Sequence, residues 1–549
     1  TPSSLISTVR VMTNANPFAQ RSTLEYELPP FADIKVEHYL PAFYEGCTQQ
    51  LAEVQAILDT PGAATFENTI VALEKSGQKL MRMLLVFYNK SSSDTSDALD
   101  AIEEEMAPKL AAHQDAIQLN PVLFKRIKDL YDARESIGLN TEDAWLLERY
   151  YKDLIHAGAH LTEAQRDRLK ELNEELSKLE TQFGKNVLAD TNDLAVLVDS
   201  LAELDGLSEN EIAAAAAAAK DRGHDGKWLI GMVNFTGNPV LDSLTNRELR
   251  KKIMEASKKK ANRPNENDNK PVILQMVKLR AGRAKLFGVS SHAEYVIHEQ
   301  TAGSPANVHK VLREIAPAAV KNARAEGKQL QEAIISDGHE FELASWDWAM
   351  YSEKVRLAKH NVDTAAMRPY FELERVLHDG VFFAATKLFG ITFQERKDLV
   401  TYHPEARAFE VKNEDGSPLG LYIGDFFTRD SKRGGAWMNS LVDQNTLLGQ
   451  LPVVVNNLNI PKPPKGEPAL LTLDFTTTLF HEFGHALHGL LSQVKYPRVS
   501  GTSVQRDFVE FPSQVNEMWI LWPEVVKNYA RHYQTGEQMP QTWIDNLQA

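Results

Sequence analysis

His481-Glu482-Phe483-Gly484-His485 reads H-E-x-x-H, within a stretch whose apolar residues recur at helical spacing. On a helix, positions i and i+4 lie about 40° apart around the axis and one turn along it. Two imidazoles so placed reach one metal ion. Glu482 projects from a neighbouring part of the same face, close enough to act on a metal-bound water. Two neutral nitrogen ligands, an open coordination position and an adjacent carboxylate base are what metal-assisted peptide hydrolysis needs. A structural zinc site would instead be closed by four protein ligands, often thiolates, and would not need the base.

The flanking residues support the helix. Phe475, Leu479, Phe480, Phe483, Leu487 and Leu490 recur at helical spacing. Asp474, after the strand-like Ala469-Leu470-Leu471-Thr472-Leu473, is the expected N-cap. Gly484 costs a helix interior about 1 kcal/mol relative to Ala, so its place inside the motif points to close approach of another backbone or of substrate. His488 shares the face but stands i+7 from His481, about 10.5 Å along the axis. One ion does not span that distance, so His488 reads as core or as support for a ligand. A third ligand should come from downstream. Lys495 to Thr502 reads as a loop. Val504, Phe508, Phe511 and Val515 then recur at helical spacing, with Asp507, Glu510 and Glu517 as the available carboxylates. Spacing does not choose among the three. Asp507, Ser513 and Glu517 are also candidates to orient the ligands.

The 549 residues far exceed one small core, so two or three lobes are expected. The net charge of -15 argues against a nucleic-acid partner. Lys258-Lys259-Lys260 ends a helix-like segment and reads as a solvated terminus. The single cysteine, Cys47, excludes an intrachain disulfide framework and fits the cytoplasm, with the periplasm as the alternative. No apolar run is long enough to span a membrane. Residues 1–11 carry no signal-peptide apolar region. The first half is helical in pattern, with capping boxes at Thr162/Gln165, Ser208/Glu211 and Thr245/Glu248. The helix opened by Thr162 runs through Leu169, Leu172, Leu176 and Leu179, and Ala213 to Ala219 is a strong helix former. Asn262 to Lys270 is a polar loop. Strand character follows: Arg407 to Val411 and Leu419 to Ile423 flank Asp415-Gly416 as a hairpin, and Val453 to Val455 adds a strand. A small β-sheet therefore lies just upstream of the motif, and its edge could accept a peptide as an added strand.

The motif with Ser500-Gly501-Thr502 and Arg506-Asp507-Phe508-Val509-Glu510-Phe511-Pro512-Ser513-Gln514 resembles the thimet-oligopeptidase family of zinc peptidases. Within it the chain is most similar to the bacterial peptidyl-dipeptidases. Trp346-Asp347-Trp348, Pro369-Tyr370-Phe371-Glu372-Leu373, Tyr422-Ile423-Gly424-Asp425-Phe426-Phe427 and Gly434-Gly435-Ala436-Trp437-Met438 also match. The resemblance implies a mainly α fold. Two helical lobes would face each other across a deep channel, with the small β-sheet beside the active-site helix. It implies one Zn2+ held by His481, His485 and Glu510, with Glu482 as general base. Gly435, Ala436 and Trp437 become the expected substrate-binding edge. The implied activity is release of C-terminal dipeptides from short peptides. An endo-acting oligopeptidase with the same zinc chemistry is the alternative. Expected parts are 1–160 and 256–447 for one lobe, and 161–255 and 448–549 for the other. Family members continue past the zinc segment into a Gly-rich loop carrying Tyr and His. No such loop occurs in 1–549, so the expectation is a zinc-binding but poorly catalytic chain, completed by a C-terminal fragment of the same protein. Otherwise a monomer is expected.

Overall fold

The computed structural model describes residues 16–233 and 238–548. The reading of residues 1–11 lies outside the described residues. The chain is mainly helical, with a five-stranded sheet at its centre. Long helices, among them Tyr39–Leu58, Gln78–Ser93, Asp97–Gln118, Glu163–Asp193 and Pro305–Ser336, make up most of the first 360 residues. The capping boxes at Thr162 and Ser208 form, each side chain accepting an N–H from the third helical residue.

Two expected caps fall elsewhere. Asn246, not Thr245, caps the helix Arg247–Lys258, accepting from Leu249 N at 3.0 Å. The Thr245 hydroxyl is spent on the Asp205 carboxylate at 2.6 Å. Likewise Thr472, not Asp474, caps the motif helix Leu473–Leu490, accepting from Phe475 N at 3.0 Å. Asp474 lies in the first turn, where a negative charge suits the helix dipole. This early start also removes the expected strand over 469–473. Only Leu470 forms a bridge, to Glu372, held by Leu373 N to Ala469 O at 2.9 Å and Leu471 N to Phe371 O at 2.8 Å. The Asn262 to Lys270 loop ends two residues early, at the cap Asp268.

Two short strands, β1 (Val196–Val198) and β2 (Trp228–Ile230), pair antiparallel in the first half. The central sheet comprises β3 (Thr392–Glu395), β4 (Arg407–Lys412), β5 (Pro418–Phe427), β6 (Trp437–Val442) and β7 (Val453–Ile460). Their order is β3-β4-β5-β7-β6. The β4–β5 hairpin pairs Phe409 with Tyr422 around the expected Asp415-Gly416 turn. β5 and β7 run parallel, and β6 returns antiparallel on β7 as an edge strand. The expected division at 447/448 passes between β6 and β7, which are paired neighbours.

Alternation along the central strands sends side chains into two different cores. Leu421, Ile423, Val453 and Val455 pack with Phe43, Phe87 and Met106 of the N-terminal helices. Tyr422, Val454, Leu458 and Ile460 pack with Phe480, Phe483 and Leu487 of the motif helix. The motif helix is therefore bedded on one face of a sheet whose other face is also buried.

Candidate metal centre

The motif residues occupy the middle of the helix Leu473–Leu490. Its apolar positions face the sheet and the helices behind it, which leaves His481 and His485 on the side facing the returning chain. That chain arrives as the helix Glu510–Glu517. The expected helix from Val504 begins six residues late. Pro512 is the reason: it falls in the first turn, where its missing N–H is not needed. A start at Val504 would place it in the interior at a cost of about 3 kcal/mol.

The two helices touch because Gly484 has no side chain. A Cβ there would stand 2.7 Å from Ser513 Cα and 2.9 Å from Asn516 Cβ. Asn516 Nδ2 donates to Phe480 O at 2.6 Å, locking the crossing. Glu510 is thereby set against both histidines. Its Oε2 lies 3.0 Å from His481 Nε2 and 3.0 Å from His485 Nε2. The three ligand atoms lie within 4.8 Å of one another. Two imidazole nitrogens and a carboxylate oxygen focused on one point are the donor set of a three-ligand catalytic zinc site, so the residues fit that ion.

The surroundings prepare each donor. Glu517 Oε1 lies 2.6 Å from His481 Nδ1, an arrangement that turns Nε2 toward the centre. Burial holds His485 below the ordinary histidine value, in the neutral form that binds metals. Ser513 Oγ donates to Glu510 Oε2 at 3.1 Å. Burial raises the Glu510 pKa, but His485, Ser513 and His481 together lower it further, so it stays ionised. Glu482 is 5% exposed, and its Oε2 has no hydrogen-bond partner. Burial first, and the Glu510 charge second, push its pKa up to about 8.

Asp507 turns away from the centre and accepts the N–H groups of Thr301 and Ala302 at 3.0 and 2.8 Å. His488 is half-buried, outside the three-residue cluster. Trp437 begins edge strand β6 opposite Asn457. Gly435, at φ 84°, precedes it, its N–H donating to Val233 O at 3.2 Å and its carbonyl accepting from Asn459 Nδ2 at 2.6 Å. Ala436, half-buried between them, packs on the motif-side core.

Sequence reasoning passes over Asn456. It lies fully buried in β7, and its Nδ2 donates to the Glu482 carbonyl at 2.8 Å. The run Asn456-Asn457-Leu458-Asn459, amides inside a Val-rich strand, is the signal that could have found it, because buried amides need partners.

The model of Peptidase family M3 matches residues 240–549. The dipeptidyl carboxypeptidase of Escherichia coli (strain K12) is 44% identical over 529 residues, covering 96% of this chain and 78% of that protein. That of Salmonella typhimurium (strain LT2) is 41% identical, with 96% and 78% covered. Oligopeptidase A of the same Salmonella strain is 32% identical over 95% of this chain and 78% of its own length.

Proposed function

The chain belongs to Peptidase family M3 and is a metallopeptidase, and from that premise we propose that it removes dipeptides from the C-terminal end of short peptides. The observation that carries the reading is the convergence of His481 Nε2 and His485 Nε2 on one oxygen of Glu510, beside a buried Glu482. The preference for dipeptide release over internal cleavage is supported by the higher identity to the two dipeptidyl carboxypeptidases than to oligopeptidase A.

His481, His485 and Glu510 hold the metal, which we take to be zinc. A zinc ion there would supply a Lewis acid for the scissile carbonyl and acidify a bound water. Glu482 takes the proton of the attacking water and returns it to the leaving nitrogen. Burial, which raises the Glu482 pKa above that of an ordinary carboxylate, makes it a stronger base for the first step. Glu517 keeps His481 in the tautomer that offers Nε2. Ala436 and Trp437 present backbone to the peptide at the sheet edge, Gly435, held to Val233 and Asn459, shapes the approach to it, and a deep channel between helical lobes limits substrates to short, unfolded chains. No helix among the described residues is long and apolar enough to cross a membrane. We place the protein in the cytoplasm as a monomer.

The test is product analysis by mass spectrometry on a blocked pentapeptide and its C-terminal amide, with bound zinc quantified. Dipeptide loss from the free acid alone is the expected result. Internal cleavage of both peptides would make the protein an endo-acting oligopeptidase. Glu482→Gln should retain zinc and lose at least about 100-fold in kcat. Full activity in that variant would remove Glu482 as the base.

A further inference from the structure

Arg82 makes no ion pair of its own among the described residues: burial lowers its pKa, and the Glu27 charge that partly offsets this belongs to a carboxylate already paired with Arg21. Arg82 lies on the helix Gln78–Ser93 and is half-buried. Its Nε is sealed from solvent with no hydrogen-bond acceptor, and its guanidinium has no ion-pair partner among the described residues. A desolvated guanidinium with five donors is matched to a carboxylate. Arg82 lines a cavity of about 500 Å³ between the N-terminal helices and the far end of β6, at Leu441 to Asp443. The other charged groups of the wall are already engaged. Glu27 pairs with Arg21 and accepts from Gln450 at 3.0 Å. Glu74 accepts from the Tyr150 hydroxyl at 2.6 Å and from Arg498 N at 3.2 Å. Arg498 and Asp153 pair at 2.6 Å. Asp443 is half-buried, and desolvation raises its pKa although Ser440 hydrogen-bonds to it.

The cavity lies in line with the metal centre. β6 is an edge strand, paired only with β7. Its Met438 is opposite Asn456, the residue that donates to the Glu482 carbonyl. From Met438 to Val442 is about 13 Å at the strand rise of about 3.3 Å per residue. A peptide added to the β6 edge, with its cleaved bond level with the motif, therefore reaches the cavity about four residues away. Antiparallel addition, the more stable pairing, sends the peptide's N-terminal side toward Val442. What enters the cavity then lies upstream of the cut.

Resting on the peptidase reading above, we infer that this cavity is an upstream substrate subsite in which Arg82 pairs with an acidic side chain about four residues before the cleaved bond. The test uses octapeptides with one Glu moved through the upstream positions, each beside its Gln counterpart. The wild-type protein should favour Glu by about tenfold or more in KM at one position. Arg82→Gln should abolish that preference and leave the Gln peptides unchanged, and Arg82→Lys should keep part of it. Unchanged melting temperatures establish that the variants fold. The inference is overturned if wild type shows no Glu preference, or if the preference survives Arg82→Gln. It is also overturned if Arg82→Gln weakens free acids relative to C-terminal amides regardless of Glu, because the cavity would then hold the peptide's own terminus. If no peptide is cleaved, turnover bears on the peptidase reading and not on the subsite. Anisotropy of labelled Glu and Gln peptides then decides the Arg82 pairing by the same tenfold difference.

Discussion

A single carboxylate orients the first histidine of the motif. Glu517 stands 2.6 Å from His481 Nδ1 and leaves Nε2 to face Glu510. Glu517→Ala should weaken zinc binding by about 10- to 100-fold. Competitive titration with a chelator measures this, and unchanged affinity would show that packing alone sets the ring. The nearness of His481 to His485 is readable in the sequence, because helical spacing is a local property. The separate fates of Asp507, Glu510 and Glu517 are not. All three lie within one short segment, and their roles depend on how the chain from 491 to 509 folds back. Asp507 is drawn to the amides of Thr301 and Ala302, some two hundred residues away in sequence. No local pattern encodes that.

Helix ends and helix crossings show the same divide. At Thr162 and Ser208 one residue can cap, and it does. Near Arg247 and Leu473 a neighbouring residue takes the cap: Thr245 is engaged with Asp205, and the motif helix starts at Leu473, before Asp474. Gly484 is legible as a point of close approach, but its neighbour is not. That neighbour is the backbone of Ser513, which cannot yield as a flexible side chain would. Gly484→Ala should therefore destabilise, reversing the gain of about 1 kcal/mol expected at an exposed helical site. It should also push Glu510 away from the histidines and lower zinc affinity. Thermal melts with and without zinc measure both effects. A stabilised variant with full zinc affinity would mean that the helix crossing adjusts.

At the scale of the molecule, buried ion pairs tie distant segments. Asp347 is fully buried and bonded to Arg247 and Arg250, both on the helix Arg247–Lys258. Burial raises its pKa, but the hydrogen bonds from both arginines and from Ala344 N lower it further, leaving it below 3.8. Its folded value is thus below its unfolded value. The stabilisation it contributes is complete above about pH 4 and disappears as pH falls through the folded value. Asp347→Asn should cost about 3–5 kcal/mol at neutral pH. It should also shallow the acid limb of stability, which Asp425 and Asp190, similarly lowered, would continue to supply. Denaturant midpoints from about pH 2 to 7 measure both. An equal loss at all pH values would mean that the pair contributes through packing alone.

The central sheet is a partition with a load on each side. Because β5 and β7 carry alternate residues into two cores, a void opened on the N-terminal side, at Phe43 or Phe87, lets the partition bow. Asn456 sits in β7 and holds the Glu482 carbonyl, so the displacement arrives at the metal centre. Distant hydrophobic substitutions in this protein therefore act on chemistry as mechanical faults, transmitted through a shared wall.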